Sequence, residues 1–135
     1  MIDRKSKGSH AERELVRMLW KAGWAAIRVA GSGVQRFPSP DVLAGNGVRR
    51  IAVECKASGE LKKYLSKEQI GQLRSFAKAF GAEPWLGIRF DNDQWYFLAL
   101  EDLQETPAGY VVSQALAKDK GLILTEVLGE FIYKA

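Results

Sequence analysis

Two acidic residues and a lysine beside a predicted β-hairpin are suited to binding a divalent cation. An Asn-Gly pair at 46–47 lies between two apolar runs, which is the strongest short-range signal for a hairpin turn. Counting outward from that turn pairs Asp41 with Ala52, and the alternation of side chains puts Glu54 and Lys56 on the face of Asp41. Glu54 is then diagonal to Asp41, about 7–8 Å away. Hard cations such as Mg²⁺ prefer carboxylate oxygens placed in this way.

The same residues have a second interpretation, an exposed acid on one strand and an exposed Glu–Lys pair on its neighbour. The apolar composition of both strands favours the metal site, because charged side chains are rarely buried in a hairpin unless a partner or a bound ion compensates them. The residues that indicate burial are Val42, Leu43, Ile51, Val53 and Cys55.

Several short motifs, taken in order, resemble the archaeal Holliday junction resolvases of the PD-(D/E)XK nuclease superfamily. Pro40-Asp41 and Glu54-x-Lys56 match the superfamily signature. The further matching motifs are Lys7-Gly8, Glu12-Arg13-Glu14-Leu15, Arg28-x-Ala30-Gly31-Ser32 and Phe80-Gly81-x-x-Pro84. The resemblance covers most of residues 7–98 and is weaker after Leu100.

The resemblance implies a fold and an activity. The expected fold is α/β, a restriction-endonuclease-like core with a central mixed β-sheet of about five strands flanked by two long helices. The expected activity is that of a crossover junction endodeoxyribonuclease, which resolves four-way DNA junctions during recombination and repair by paired, metal-dependent phosphodiester hydrolysis on opposing strands. Because one short chain has one site, two cuts imply a homodimer with twofold symmetry. The Phe76 side of the second helix and residues 95–103 are the candidate dimer surfaces.

The resemblance also assigns roles within the site. Asp41 and Glu54 are the expected ligands of Mg²⁺, for which Mn²⁺ could substitute, with the backbone carbonyl of Cys55 as a neutral ligand. Lys56 is expected to lower the pKa of the attacking water or to hold the phosphate. The full set of candidate catalytic residues is Glu12, Ser32, Asp41, Glu54 and Lys56.

Glu12 has two competing interpretations. Ser9-His10-Ala11-Glu12 is a capping-box pattern, in which the Glu12 carboxylate reaches back to the Ser9 N–H at the start of a helix. The family resemblance instead makes Glu12 a third acid of the site, pointing toward Asp41.

Charge is unevenly distributed along the chain. Residues 1–67 hold fourteen Lys and Arg against six Asp and Glu, whereas residues 68–135 hold six against ten. A basic field around a metal site suits a polyanionic substrate, although a solubilising surface would show the same asymmetry. The candidate DNA-contacting residues are Arg4, Lys5, Lys7, Arg13, Arg28, Arg36, Lys62 and Lys63.

The length of 135 residues predicts one nuclease domain, with a flexible basic arm at 1–8 and a tail at 104–135 that matches the family less well. The first helix is expected to run from Ser9 to Gly23, and the second to open at the capping box Ser66-Lys67-Glu68-Gln69. Strands are expected at 24–30, 84–90 and 94–100, and a short helix at 113–120. The absence of a bilayer-spanning run and of a secretory signal predicts a cytoplasmic, chromosome-associated protein without a membrane partner.

Two other functions fit the same motifs. One is a PD-(D/E)XK endonuclease that cuts ordinary duplex DNA, and the other is a non-catalytic DNA-binding module with a nuclease-like fold. A weaker pattern, Leu128 with Phe131-Ile132, is similar to the anchors by which some tails bind sliding clamps. A sliding clamp is therefore a second candidate partner, after the four-way junction.

Overall fold

The structure is a computed structural model that describes residues 4–29 and 37–130, with side chains from Lys7 onward. Ser32, Arg36, Phe131-Ile132 and the side chains of Arg4 and Lys5 lie outside the described part. The helices are α1 (Arg4–Lys21), α2 (Lys67–Phe80), α3 (Gln114–Lys120) and α4 (Leu124–Leu128), and a 3₁₀ turn covers Leu100–Asp102. The strands are β1 (Ala25–Arg28), β2 (Val42–Gly45), β3 (Arg50–Ser58), β4 (Lys62–Ser66), β5 (Glu83–Phe90), β6 (Trp95–Leu98), β7 (Gln104–Thr106) and β8 (Gly109–Ser113).

A mixed five-stranded sheet with the order β1-β2-β3-β5-β6 forms the centre of the fold. β3 and β5 are parallel, and the other neighbouring pairs are antiparallel. Ile51 and Val53 pack in the cluster that contains Leu15 of α1, whereas Ala52, on the opposite face, packs in the cluster that contains Leu73 of α2. The predicted sheet of about five strands between two long helices is therefore confirmed.

A second sheet was not predicted. β4, β8 and β7 form it in that order, so that residues 109–113 of the predicted tail pair with the segment that follows β3, and residues 104–106 pair with β8. Gly109 permits this pairing, because a Cβ at this position would clash with the carbonyl oxygen of Leu65. Pairing of β4 with a strand more than forty residues later leaves no local signal in the sequence.

The start of the first helix was predicted wrongly. α1 begins at Arg4 rather than at Ser9, so residues 4–8 are helical instead of a flexible arm, and Ser9 lies inside the helix. Lysine and arginine are good helix formers, and the segment contains no proline. The capping-box interpretation of Glu12 is therefore wrong.

The second helix follows its prediction. The Ser66 hydroxyl accepts a hydrogen bond from the Gln69 N–H, and the Gln69 side chain accepts one from the Ser66 N–H, both at 3.0 Å. Gly81 ends the helix with a φ of 85°, a backbone conformation that favours glycine. Ile70, Leu73 and Ala77 form its buried face, whereas Phe80 at its end is about half exposed.

One of the two candidate dimer surfaces is used within this chain. The large apolar residues at 95–103 are buried in the core, and they include Trp95, Phe97, Leu98, Leu100 and Leu103. This range is therefore not available as an apolar face for a partner. Across the part of the chain that the structure describes, no helix combines the length and the apolar character needed to span a membrane.

Candidate active site

The β2–β3 turn sets the register that brings the predicted acids together. The Asn46 side chain accepts hydrogen bonds from the Val48 N–H at 2.9 Å and from the Arg49 N–H at 2.7 Å, which makes residues 46–49 a four-residue turn. Val42 consequently pairs with Val53, two residues further along than predicted. A shift of two leaves every side chain on its predicted face but places Asp41 opposite Glu54 instead of diagonal to it.

Asp41 is fixed at the point where β2 begins. Its N–H donates to the Val53 carbonyl at 3.0 Å, and its carbonyl accepts from the Val29 N–H at 2.9 Å. Its carboxylate accepts the Cys55 N–H at 2.8 Å, and only 9% of the residue is exposed. The backbone of β1 and β3 therefore holds this carboxylate in one position at the edge of the core.

Glu54 lies against Asp41 with little solvent around it. Its side chain is 15% exposed and lies close enough to the Asp41 side chain to interact with it electrostatically. The Lys56 ammonium lies 3.6 Å from the Glu54 carboxylate. Burial, followed by the negative charge of Asp41, raises the pKa of Glu54 to about 7, an effect that Lys56 only partly offsets. The pair of acids therefore carries more negative charge than the lysine neutralises.

Glu12 approaches the same site from α1. The Arg28 guanidinium donates to the Glu12 carboxylate at 3.0 Å and to the Ser9 hydroxyl at 3.1 Å. Burial and then the charge of Asp41 raise the pKa of Glu12, whereas Arg28 lowers it. Glu12 is thus close enough to Asp41 to interact electrostatically, but Arg28 already occupies its carboxylate.

The donor set fits a cation held mainly by two carboxylates. Within residues 4–29 and 37–130, no group of three His, Cys, Asp or Glu side chains is placed to hold a metal ion. Asp41 and Glu54 nevertheless form a close pair of acids with an uncompensated charge, which is the electrostatic situation that a bound divalent ion relieves. The assignment of Asp41, Glu54, Glu12 and the Cys55 carbonyl as metal ligands stays a prediction.

The Cys55 thiol is a core group. It packs in the cluster under α1, and burial, together with the nearby acids, raises its pKa well above the usual value. The thiol therefore stays protonated and unreactive, as the alternation along β3 predicts.

The basic residues predicted to contact DNA are dispersed around this site. Arg13 is exposed on α1, Lys62 is exposed and Lys63 partly buried on β4, and Lys7 pairs with Asp91 at 2.6 Å. Arg28 donates hydrogen bonds to the side chains of Glu12 and Ser9, as described above.

Sequence reasoning gave no role to Glu14, which fastens α1 to the sheet. Its carboxylate accepts hydrogen bonds from the Arg89 guanidinium and from the Trp95 ring N–H, both at 2.7 Å. Because α1 also carries Glu12, this anchor positions one of the acids. The sequence signal that could have identified Glu14 is its position in the motif Glu12-Arg13-Glu14-Leu15.

Comparisons with known proteins point to a single family. The model of the archaeal Holliday junction resolvase (Hjc) family matches residues 3–134. The crossover junction endodeoxyribonuclease Hjc of Archaeoglobus fulgidus is 44% identical over 127 residues, which cover 94% of this chain and 93% of that protein. The enzyme of the same name from Methanocaldococcus jannaschii is 40% identical, over 91% of this chain and 87% of its own.

A solved structure shares the fold. The structure of Archaeoglobus fulgidus Hjc, described as a Holliday junction resolvase from an archaeal hyperthermophile, aligns with a TM-score of 0.83 at 42% sequence identity. The alignment covers 89% of this chain and 98% of that structure.

Proposed function

This chain belongs to the archaeal Holliday junction resolvase family, and we propose that it is a crossover junction endodeoxyribonuclease whose single domain hydrolyses phosphodiester bonds of four-way DNA junctions at Asp41, Glu54 and Lys56. The observation that carries the assignment of the site is the proximity of the two largely buried carboxylates, with the Lys56 ammonium beside them. A purely structural hairpin has no need for two repelling acids at this position.

The expected cofactor is Mg²⁺, with Mn²⁺ as a substitute. Asp41 and Glu54 would hold the ion, and the Cys55 carbonyl and Glu12 are the further candidates. A divalent cation would neutralise charge that develops on the phosphate and would acidify a water molecule. Burial and then the charge of Asp41 raise the pKa of Glu54, so ionising this carboxyl is costly without a cation beside it, which supports this choice.

Lys56 acts on the substrate in this proposal. Its side chain is 19% exposed, so its ammonium is partly desolvated but still reaches the surface of the site. A fixed positive charge at such a place stabilises the negative charge of the transition state more strongly than the same charge in bulk water. Glu54 and Lys56 stand two residues apart on β3, which keeps the acid and the lysine on one face.

The protein is proposed to work as a homodimer, because resolution needs two cuts. An apolar patch formed by Trp20, Ile27, Leu43 and Phe80 lies beside edge strand β1 and surrounds a groove of about 240 Å³. Trp20 and Ile27 are each 58% exposed. A second copy of the chain is the occupant that the function requires, and Phe80, stacked on Phe76 at 5.4 Å, connects the patch to the predicted side of α2.

Replacing Ile27 with glutamate is expected to convert the dimer to a monomer, because the charge would lose its hydration in the interface. Sedimentation velocity at micromolar concentration measures the change. Leu61→Glu is the matched control, since Leu61 is also exposed but lies outside the patch. Leu61→Glu should remain a dimer, and an Ile27→Glu protein that also sediments as a dimer would show that the patch has been assigned to the wrong surface.

A cleavage assay tests the function itself. A four-way junction and a linear duplex of the same sequences are each incubated with the protein, with and without Mg²⁺. The proposal expects paired cuts in the junction alone, and only when the metal is present. Cutting of the duplex at a fixed sequence would favour an ordinary PD-(D/E)XK endonuclease, and binding of the junction without cutting would favour a non-catalytic module.

The proposed cellular setting follows from the substrate. A protein that cuts recombining DNA acts on the chromosome, so a cytoplasmic, chromosome-associated location is the expectation. The sliding clamp stays an untested candidate partner, since part of its predicted anchor lies outside the described residues.

A further inference from the structure

A polar groove of about 490 Å³ runs between the start of α1 and strand β4. Its basic and aromatic lining consists of Lys7, Lys62, Lys63 and Tyr64, and the end of β3 with the following connection adds Ala57, Ser58, Gly59 and Glu60. Glu60 is the only acidic residue among the lining residues, so positive charge dominates the groove.

The groove adjoins the proposed active site along two elements. Ser58 lies two residues beyond Lys56 on the same face of β3, a distance of about 7 Å, and four residues beyond Glu54, about 13 Å. Lys7 lies five residues before Glu12 on α1, or about 7.5 Å along the helix axis. Because successive phosphates of one DNA strand advance by about 3.4 Å along the duplex axis, the groove is about two to four nucleotides from the cut.

One of these lysines, Lys7, already forms an ion pair with a carboxylate of the same chain. The Lys7 ammonium lies 2.6 Å from the Asp91 carboxylate, and the Asp91 N–H donates to the Ser58 carbonyl at 3.0 Å. Gly59 leaves room for the pair, because a Cβ there would approach the Asp91 carboxylate to 3.0 Å and the Lys7 ammonium to 3.2 Å. Asp91 is therefore tied to the end of β3 and holds Lys7 where a phosphate would otherwise bind.

Tyr64 adds an aromatic surface to this basic groove. The residue is 68% exposed although it stands on a strand, and it also lines the neighbouring cleft toward Tyr110. Exposed aromatic rings beside lysines are the combination that binds unstacked nucleotides, since a base can stack on the ring while the backbone meets the charges. Bases next to the branch point of a junction can be unstacked and expose a ring face to the tyrosine.

We propose that this groove binds the backbone of a junction strand two to four nucleotides from the cut. Lys62 and Lys63 contact its phosphates, Tyr64 stacks on a base beside the branch point, and the DNA displaces Asp91 from Lys7. The inference rests on the proposed function and adds to it a second contact region away from the reacting phosphate.

The test measures junction binding in EDTA, where no cutting is expected, as a function of salt concentration. Lys62→Gln is expected to lower the slope of log affinity against log salt by about one. Lys78→Gln is the matched control, because Lys78 is also an exposed lysine. It lies about 17 Å along α2 from Lys67, the residue that follows β4, and on the side of the helix opposite Phe76 and Phe80. It should leave the slope unchanged.

Tyr64→Leu and Asp91→Asn are expected to change junction binding in opposite directions. Tyr64→Leu is expected to weaken junction binding by about tenfold, whereas Tyr64→Phe keeps the ring and should bind like the wild type. Asp91→Asn is expected to bind about two- to fivefold more tightly, since it releases Lys7 from an exposed ion pair.

The outcomes separate this inference from the proposed function. A wild-type protein that neither prefers nor cuts the junction would overturn the proposed function. Suppose instead that the wild-type protein binds and cuts the junction. If Lys62→Gln then has the same salt-dependence slope as Lys78→Gln, and Asp91→Asn binds the junction no more tightly than the wild type, the groove proposal alone is overturned.

Discussion

Replacing Glu54 with glutamine, or Asp41 with asparagine, is expected to reduce junction cleavage by about 10³-fold or more. Each change removes one of two carboxylates in contact, and a catalytic cation supplies several kcal/mol of transition-state stabilisation. Junction affinity should be unchanged or slightly higher, since affinity comes from phosphate contacts and the variants lose a negative charge. Single-turnover cleavage and equilibrium binding of the same junction measure the two quantities separately.

Glu101→Gln is the control for this comparison. Glu101 is exposed and, among the described residues, forms an ion pair with Arg74 alone, at 3.5 Å, so its loss removes the same charge without touching the site. Cleavage by this variant should equal that of the wild type. Loss of binding in parallel with loss of cleavage in the Asp41 and Glu54 variants would show that these acids maintain the fold or the DNA surface and do not carry the chemistry.

The same glutamine variant is expected to stabilise the metal-free protein at pH 8 by about 1–3 kcal/mol. The pKa of Glu54 is raised from 4.5 to about 7 in the folded state, so the folded protein binds this proton more tightly than the unfolded chain. The resulting stability is complete below pH 4.5 and is lost as the pH rises through 7. At pH 8 the wild type therefore carries the cost of an ionised, largely buried Glu54, which glutamine avoids.

Urea denaturation in EDTA at pH 4.5 and at pH 8 measures the difference. The gain from Glu54→Gln should be small at pH 4.5 and larger at pH 8. Mg²⁺ should stabilise the wild type at pH 8 and have little effect on the variant, because a ligand that binds only the folded state shifts the unfolding equilibrium. A variant less stable than the wild type at pH 8 would contradict the repulsion between Glu54 and Asp41.

The sequence was enough to predict that Asp41, Glu54 and Lys56 share one face of the hairpin. Alternation along β3 places Glu54 and Lys56 together whatever the exact register, so the two-residue error did not separate them from Asp41. The register itself depends on the Asn46 side chain, which closes a four-residue turn through the Val48 and Arg49 N–H groups. An Asn-Gly pair by itself does not distinguish this turn from a two-residue one.

Tertiary contacts explain what the sequence left undetermined. The Ser9 hydroxyl, which the local pattern assigns to a helix cap, accepts from Arg28 across the fold. Arg28 also engages Glu12, a contact between residues sixteen positions apart that periodicity cannot reveal. The family and the nuclease-like fold were nevertheless predicted correctly from the motifs around Asp41 and Glu54, and the comparisons confirm both.

A crystal structure of the protein with Mn²⁺, measured at a wavelength where manganese scatters anomalously, tests the central claim most directly. The expected result is an anomalous peak between the carboxylates of Asp41 and Glu54, absent from crystals of Glu54→Gln prepared in the same way. A peak elsewhere, or none between these two carboxylates at a manganese concentration that supports cleavage, would contradict the assignment of the active site.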